Sequence, residues 1–371
     1  MTVPLLDLVA QYQTIKDDVQ KALLSVVERQ SFIMGAEVAQ LEAAVASLSN
    51  AKHGIACASG TDALLLPLKA LGLQPGDEVI APSFTFFATA GAIHNAGGTP
   101  VFVDIDPDTF NVSHQAVEAS ITPRTRAVVA VHLFGQMAAI ERVMALAVRH
   151  DLTVIEDAAQ AIGARRQVDG EWHMAGELGT AGAFSFFPSK NLGAFGDGGM
   201  MITQDDALAS RLAKLRLHGG AKQYHHEEVG TNSRLDTLQA AVLLVKLPYL
   251  AAWSAARRRH AARYDEAFAG HSAICPPVTD GANEHIYNQY TIRAERRDEL
   301  QAHLKSRGIG QAIYYPLALH QQPCFAHLDY AEGSLPHTEA ATREVISLPV
   351  FPELTEAQQD AVIEAVTAFY A

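Results

Sequence analysis

Short apolar runs alternating with longer stretches of helical spacing constrain this chain more than any other feature. The runs are HGIACA (53–58), GDEVIAPS (76–83), TPVFVDI (99–105), RAVVAVHLF (126–134), LTVIEDA (152–158), GAFSFF (182–187) and GGMMIT (198–203). They are rich in Val, Ile and Phe, as strands buried on both faces are. Between them lie segments such as QMAAIERVMALAVRH (136–150), with apolar residues on one helical face. This alternation predicts an α/β fold, a mainly parallel sheet covered by helices on both faces.

From about residue 235 the pattern changes. LDTLQAAVLLVKLPYLAAWSAARRRHAARYDEAFAG (235–270) predicts a long helical region interrupted near Pro248. YNQYTIRA (287–294) reads as a strand, RRDELQAHLKSRG (296–308) as a helix stopped by Gly308, and TEAQQDAVIEAVTAFY (355–370) as an amphipathic helix. A length of 371 residues suits one large domain, 1–245, and a smaller α/β domain, 246–371. The first 30 residues look helical and are expected on either domain.

Composition narrows the partners. A formal net charge of −13 gives no general attraction to nucleic acid or an anionic membrane, so any phosphate must be held by local donors. The N-terminus lacks the pattern of a signal peptide, and no run of about 18 apolar residues is read as a membrane span. Cys57, Cys275 and Cys324 are few and far apart, which points to a reducing cytoplasm rather than a disulfide framework or zinc site. His225 and His226 have no further ligands at metal-binding spacing, so no metal is expected.

Four elements carry possible chemistry. Lys190 follows the apolar run 182–187. It is either a surface loop lysine or an amine at a strand end, where open α/β sheets bind ligands and a lowered pKa suits Schiff-base formation. Asp157 ends another run and reads as a helix N-cap or as a carboxylate partner for a ring cation, with Gln160 three residues on. ASGTDAL (58–64) sets Gly60 and Thr61 between a strand and a helix, where free N–H groups bind phosphate, with Asp62 as a cap. In APSFTFFATAGAI (81–93), Phe84, Phe86 and Phe87 compete as a stacking platform.

In that order, phosphate turn, aromatic platform, strand-end Asp and strand-end Lys, the chain resembles the DegT/DnrJ/EryC1/StrS family of sugar aminotransferases. The motifs are SGTDAL (59–64), GDEVIAPSFTFFAT (76–89), PVFVDIDPDTFN (100–111), VIEDAAQAIGA (154–164), FSFFPSKNLGAFGDGG (184–199), GTNSRLDTLQAAVL (230–243), YYPLALHQQPCF (314–325) and SLPVFPELT (347–355). The resemblance implies a fold-type I pyridoxal 5′-phosphate (PLP) enzyme. It implies that Lys190 holds the cofactor and shuttles the proton, that Asp157 pairs with the ring nitrogen, and that Gln160 meets the phenolic oxygen. Phe86 would stack on the ring. Gly60, Thr61 and Ser185 would hold the phosphate, with Asn232 reaching the phosphate of a second subunit of a homodimer. The donor it implies is L-glutamate and the acceptor a nucleotide-linked ketosugar.

Segment 218–241 is most similar to members that aminate a UDP-linked 3-keto-2-acetamido-glucuronate, in which Arg234 would face the sugar carboxylate. Those members tend to carry histidine before the Tyr-Pro pair. This chain has Tyr314 before Tyr315 and Pro316, which leaves a dTDP-linked 3-keto-6-deoxyhexose open, as well as a 4-keto sugar. His218, Tyr224, Tyr314, Tyr315 and His320 are further candidate sugar contacts, and Arg216, Lys222 and Arg234 supply local positive charge. A related dehydratase would have histidine in place of Lys190. A cofactor-free regulator would have no need of Lys190 or Asp157.

Overall fold

The computed structural model describes residues 2–222 and 224–371. The strands are β1 (His53–Cys57), β2 (Glu78–Pro82), β3 (Thr99–Val103), β4 (Thr125–Val131), β5 (Thr153–Asp157), β6 (Arg165–Val168), β7 (Glu171–Met174), β8 (Ala181–Ser185), β9 (Gly199–Thr203), β10 (Ile274–Cys275), β11 (Asn283–Glu284), β12 (Tyr290–Ala294) and β13 (Val345–Leu348). The helices are α1 (Leu8–Arg29), α2 (Ala36–Leu48), α3 (Gly60–Ala70), α4 (Phe87–Asn95), α5 (His114–Ala119), α6 (Ile140–His150), α7 (Asp206–Leu215), α8 (Thr237–Lys246), α9 (Leu250–Phe268), α10 (Arg297–Ser306), α11 (Pro336–Glu344) and α12 (Glu356–Tyr370).

The seven apolar runs form one sheet in the order β1-β9-β8-β5-β4-β2-β3. Only β9 runs against the others, being antiparallel to both β1 and β8. Both faces are buried because successive side chains point to opposite sides. Val79, Val129, Ile155, Ala183 and Met201 join one core, while Ile80, Val128, Val154, Phe184 and Met200 join the other. Each large side chain buried this way contributes roughly 1.5–3 kcal/mol.

A third core gathers Tyr264, Phe268, Tyr290, Ile292, Leu300, Leu304, Ile346, Val362 and Val366 around the three-stranded sheet β10-β12-β13. The change-over lies inside α9, where Leu250 packs with the large sheet and Ala261 in this third core. The N-terminal segment serves both parts. Val3 packs in the third core and bridges to Ile309, while Ile15 and Val19 of α1 pack against Val242 and Trp253.

Three expectations need correction. The run from Thr237 to Phe268 does have the length and hydropathy of a membrane span. Here α8 spends that apolar surface on the core, burying Ala240, Val242 and Leu243. The helix expected after Asp157 does not form. Residues 159–163 run as turns with i to i+3 bonds, since Gly163 turns to φ +87° and β6 begins at Arg165. The hairpin β6–β7, joined edge-on by β11, was not foreseen.

Candidate active site at the strand ends

Because β1, β2, β5 and β8 run parallel, their C-terminal ends share one edge of the sheet. That edge collects Ser59–Thr61, Ser83–Phe86, Asp157 and Ser185–Lys190, which are far apart in the chain. Ligands in open α/β sheets bind at this edge.

After β1 the chain turns directly into α3. Ser59 caps the helix, its Oγ accepting from the Asp62 N–H at 3.1 Å. Asp62 is therefore not the cap. Its carboxylate accepts from Ser233 Oγ at 2.7 Å instead. Gly60 is pressed against β8, and a Cβ there would sit 2.5 Å from Ser185 Cβ. Glycine thus lets the first-turn N–H groups and the Ser185 hydroxyl share one concave wall, which suits a phosphate.

The three aromatics after β2 separate by burial. Phe84 lies in the core against Phe110, Phe134 and Tyr315. Phe87 stacks on Phe325 at 5.8 Å. Phe86 is left 58% exposed at the start of α4, with its ring 6.2 Å from Tyr315.

Asp157 is only 5% exposed. It accepts from Thr89 Oγ1 at 2.8 Å and from the Ala159 N–H at 3.2 Å. Burial pushes its carboxyl up, while those bonds and Lys190 favour the anion. No cation forms an ion pair with it among the described residues. Lys190 is part-buried, and desolvation lowers its amine to about 8, opposed by the Asp157 charge. Beneath them His132 Nε2 meets Glu156 at 2.6 Å, and Glu156 also accepts from Gly176 and Gly179 N–H. Sequence reasoning missed Thr89, His132 and Glu156, since nothing in their local pattern marks them.

Gln160 is held by both ends. Its Oε1 accepts from the Phe134 N–H at 2.7 Å, and its Nε2 donates to Tyr315 Oη at 3.2 Å. Tyr314 is half-buried beside Ser189. On the other loop Asn232 is exposed and Arg234 half-buried, while Ser233 between them is fully buried. His218 is exposed at φ +63°, and Tyr224 is 90% exposed at φ +59°. His320 is 4% exposed, with Nδ1 bonded to Ser83 Oγ at 2.7 Å and Nε2 3.4 Å from Glu339 without a hydrogen bond, so it holds the loop after β2.

The model of the DegT/DnrJ/EryC1/StrS aminotransferase family matches residues 13–367. The chain belongs to this family. It is 53% identical to a "pleiotropic regulatory protein" of Geobacillus stearothermophilus, over 100% of this chain and 99% of that protein. It is 47% identical to the UDP-N-acetyl-3-dehydro-alpha-D-glucosamine 3-aminotransferase of Acidithiobacillus ferrooxidans, over 96% and 95%. Among solved structures, S. venezuelae DesV in complex with a ketimine intermediate superposes with TM-score 0.96 at 43% identity, covering 99% of this chain and 98% of that one. The chain is thus a sugar aminotransferase of the PLP-dependent kind. Its residues fit that cofactor. The glycine-lined wall at Gly60 leaves room for a phosphate, and Asp157 is a buried carboxyl that forms no ion pair among the described residues.

The lowered amine of Lys190 has a kinetic consequence. The cofactor-free chain should capture PLP at a rate that rises with pH and levels off above about 8, because only the neutral amine attacks a carbonyl. Stopped-flow absorbance checks this. A rate still climbing near pH 10 would mean an ordinary, solvated lysine.

Proposed function

We propose that this enzyme moves an amino group from L-glutamate to a nucleotide-linked 3-keto sugar, with a UDP-linked 2-acetamido sugar as the first choice and a dTDP-linked 3-keto sugar as the second. The observation that carries the reading is the pairing of Lys190 and Asp157 at adjacent strand ends, β5 beside β8, within a scaffold 47% identical to a UDP-sugar 3-aminotransferase. The reading includes a homodimer, in which exposed Asn232 reaches the phosphate of the second subunit. The reading also includes a reducing cytoplasm, in which Cys57, Cys275 and Cys324 stay free thiols.

When bound, PLP supplies an electron sink that weakens the C–H bond of an attached amine. Asp157 holds a proton at the ring nitrogen by its charge, and Thr89 holds Asp157. With the cofactor in place, Lys190 Nζ would be the group that takes and returns the proton at the substrate carbon. The turn Ser59–Thr61 and Ser185 bind the phosphate, and Phe86 covers the ring face and excludes water. Gln160 has one Nε2 hydrogen left after Tyr315, which suits the phenolic oxygen. Arg234 and Lys222 attract the pyrophosphate of the substrate.

The test is direct. The holoenzyme should lose its visible cofactor band on adding L-glutamate, then regain it with a UDP- or dTDP-linked 3-keto sugar and release an aminosugar detected by mass spectrometry. A 4-keto sugar that restores the band faster would move the reading to C4. A protein that binds no PLP would leave only the regulatory role named for the Geobacillus relative.

A further inference from the structure

Ser233 is fully buried in the loop that carries Asn232 and Arg234, and its hydroxyl reaches back to the turn between β1 and α3. Its Oγ accepts from the Ala58 N–H at 3.2 Å and donates to Asp62 Oδ2 at 2.7 Å. The direction is fixed, because a backbone N–H can only donate and the hydroxyl has one hydrogen. The loop is pinned to this turn at both ends. The Ser233 N–H donates to Arg216 O at 3.0 Å, and buried Arg216 donates from Nη1 to Ala56 O at 2.7 Å and to Glu42. Leu217 and Asn232 form a bridge between the two ends.

Asp62 is the third residue of α3. Its N–H is taken by Ser59 Oγ and that of Ala63 by Ser59 O, which leaves the N–H groups of Gly60 and Thr61 for a ligand. A carboxylate at this position is a rival to that ligand. An acid on the third residue can fold back over a helix N-terminus, where the helix dipole favours its charge. A phosphate placed there would meet that charge and be repelled. The Asp62 carboxylate forms no ion pair among the described residues, and the Ser233 hydroxyl ties it to the loop instead.

We propose that Ser233 is a positioning residue of the cofactor site, which holds the Asp62 carboxylate off the phosphate and keeps the first-turn N–H groups of α3 free for it. The inference rests on the reading of Gly60, Thr61 and Ser185 as the phosphate wall. It adds the dependence of that wall on the loop of Asn232 and Arg234, which flank Ser233 and share its anchor.

The test compares PLP with pyridoxal, which has the same aldehyde and no phosphate. Each is titrated by absorbance into the cofactor-free full chain as wild type, Ser233→Ala, Asp62→Asn and the double variant. Ser233→Ala should weaken PLP roughly ten- to a hundredfold, the loss expected when a hydrogen bond to a charged group is removed, and leave pyridoxal within about twofold. Asp62→Asn keeps an acceptor for Ser233 and has no charge, so it should bind PLP at least as tightly as the wild type. Added to Ser233→Ala, it should restore PLP to within about threefold of the wild type, because the rival charge is gone. A Ser233→Ala protein that binds PLP like the wild type, that loses PLP and pyridoxal equally, or that Asp62→Asn does not rescue overturns the role. If Ser233→Ala does not fold, Asp62→Asn alone decides, equal or tighter PLP binding upholding the role and weaker binding overturning it. Failure of the phosphate reading shows separately, as a wild type that binds pyridoxal as tightly as PLP, and it takes the role of Ser233 with it.

Discussion

Lys190→Ala lowers the rate of amino transfer by roughly 10⁴-fold, the upper range for losing a positioned proton carrier. The side chain stands at the end of a buried strand with its amine lowered to about 8, so close to half of it is neutral at that pH. Alanine removes the amine that the proposed function gives both the attachment to the cofactor and the role of base. The fold should persist, because the lysine side chain makes no side-chain hydrogen bond among the described residues and its backbone N–H bonds to Phe187 O. The measurement is single-turnover decay of the cofactor band with L-glutamate, with far-ultraviolet circular dichroism as the folding control. A folded variant retaining a tenth of the rate would show that another group carries the proton, and the assignment of Lys190 would fall.

Asp157→Asn acts on affinity as well as rate. Asparagine has the same shape, and its one oxygen can accept from the Ala159 N–H while its Nδ2 donates to Thr89 Oγ1. What it loses is the charge proposed to face the ring nitrogen. Truncating one partner of a buried charge pair costs about 2–5 kcal/mol, which corresponds to a loss of roughly 30- to 5000-fold in PLP affinity. Spectral titration of the cofactor-free variant with PLP reads this directly. Affinity within threefold of the wild type would mean that the ring nitrogen is neutral in this enzyme. The same variant is expected to be no less stable without cofactor, because burial already pushes the Asp157 carboxyl up and works against the anion.

Much of the scaffold was legible because it depends on neighbours in the chain. A run such as RAVVAVHLF buries both faces, so its composition alone marks an interior strand, and β4 follows it closely. Asp157 was legible because it ends such a run, and Lys190 because it follows one closely. The hairpin β6–β7 carried a signal that was passed over. Asp169 and Gly170 both adopt positive φ in the turn between its strands, as an Asp-Gly pair allows, but the polar strands RRQV and EWHM lack the apolar composition of the others. The apolar run 237–256 shows the reverse error. It carries one charge, Lys246, and its length and composition alone do not distinguish a core helix from a membrane span.

His320 and Arg257 mark the limit. Near a Tyr-Pro pair a histidine reads as a sugar contact, but its hydroxyl partner, Ser83, lies 237 residues away, and neither that bond nor its burial shows in the local sequence. Arg257 sits in the basic stretch ARRRHAAR and looks like part of a solvated face, yet packing buries it while leaving its neighbours more open. The same holds for Phe84, Phe86 and Phe87, which share one four-residue stretch and one chemistry. The sequence by itself determined the layered α/β architecture, the strand ends and the two charged groups that stand there, since each follows from local periodicity. Only the tertiary structure decided which aromatic is free to cover a ring, which histidine is structural and which arginine is buried. Burial and hydrogen bonding at those positions are set by atoms that the fold brings in from far along the chain.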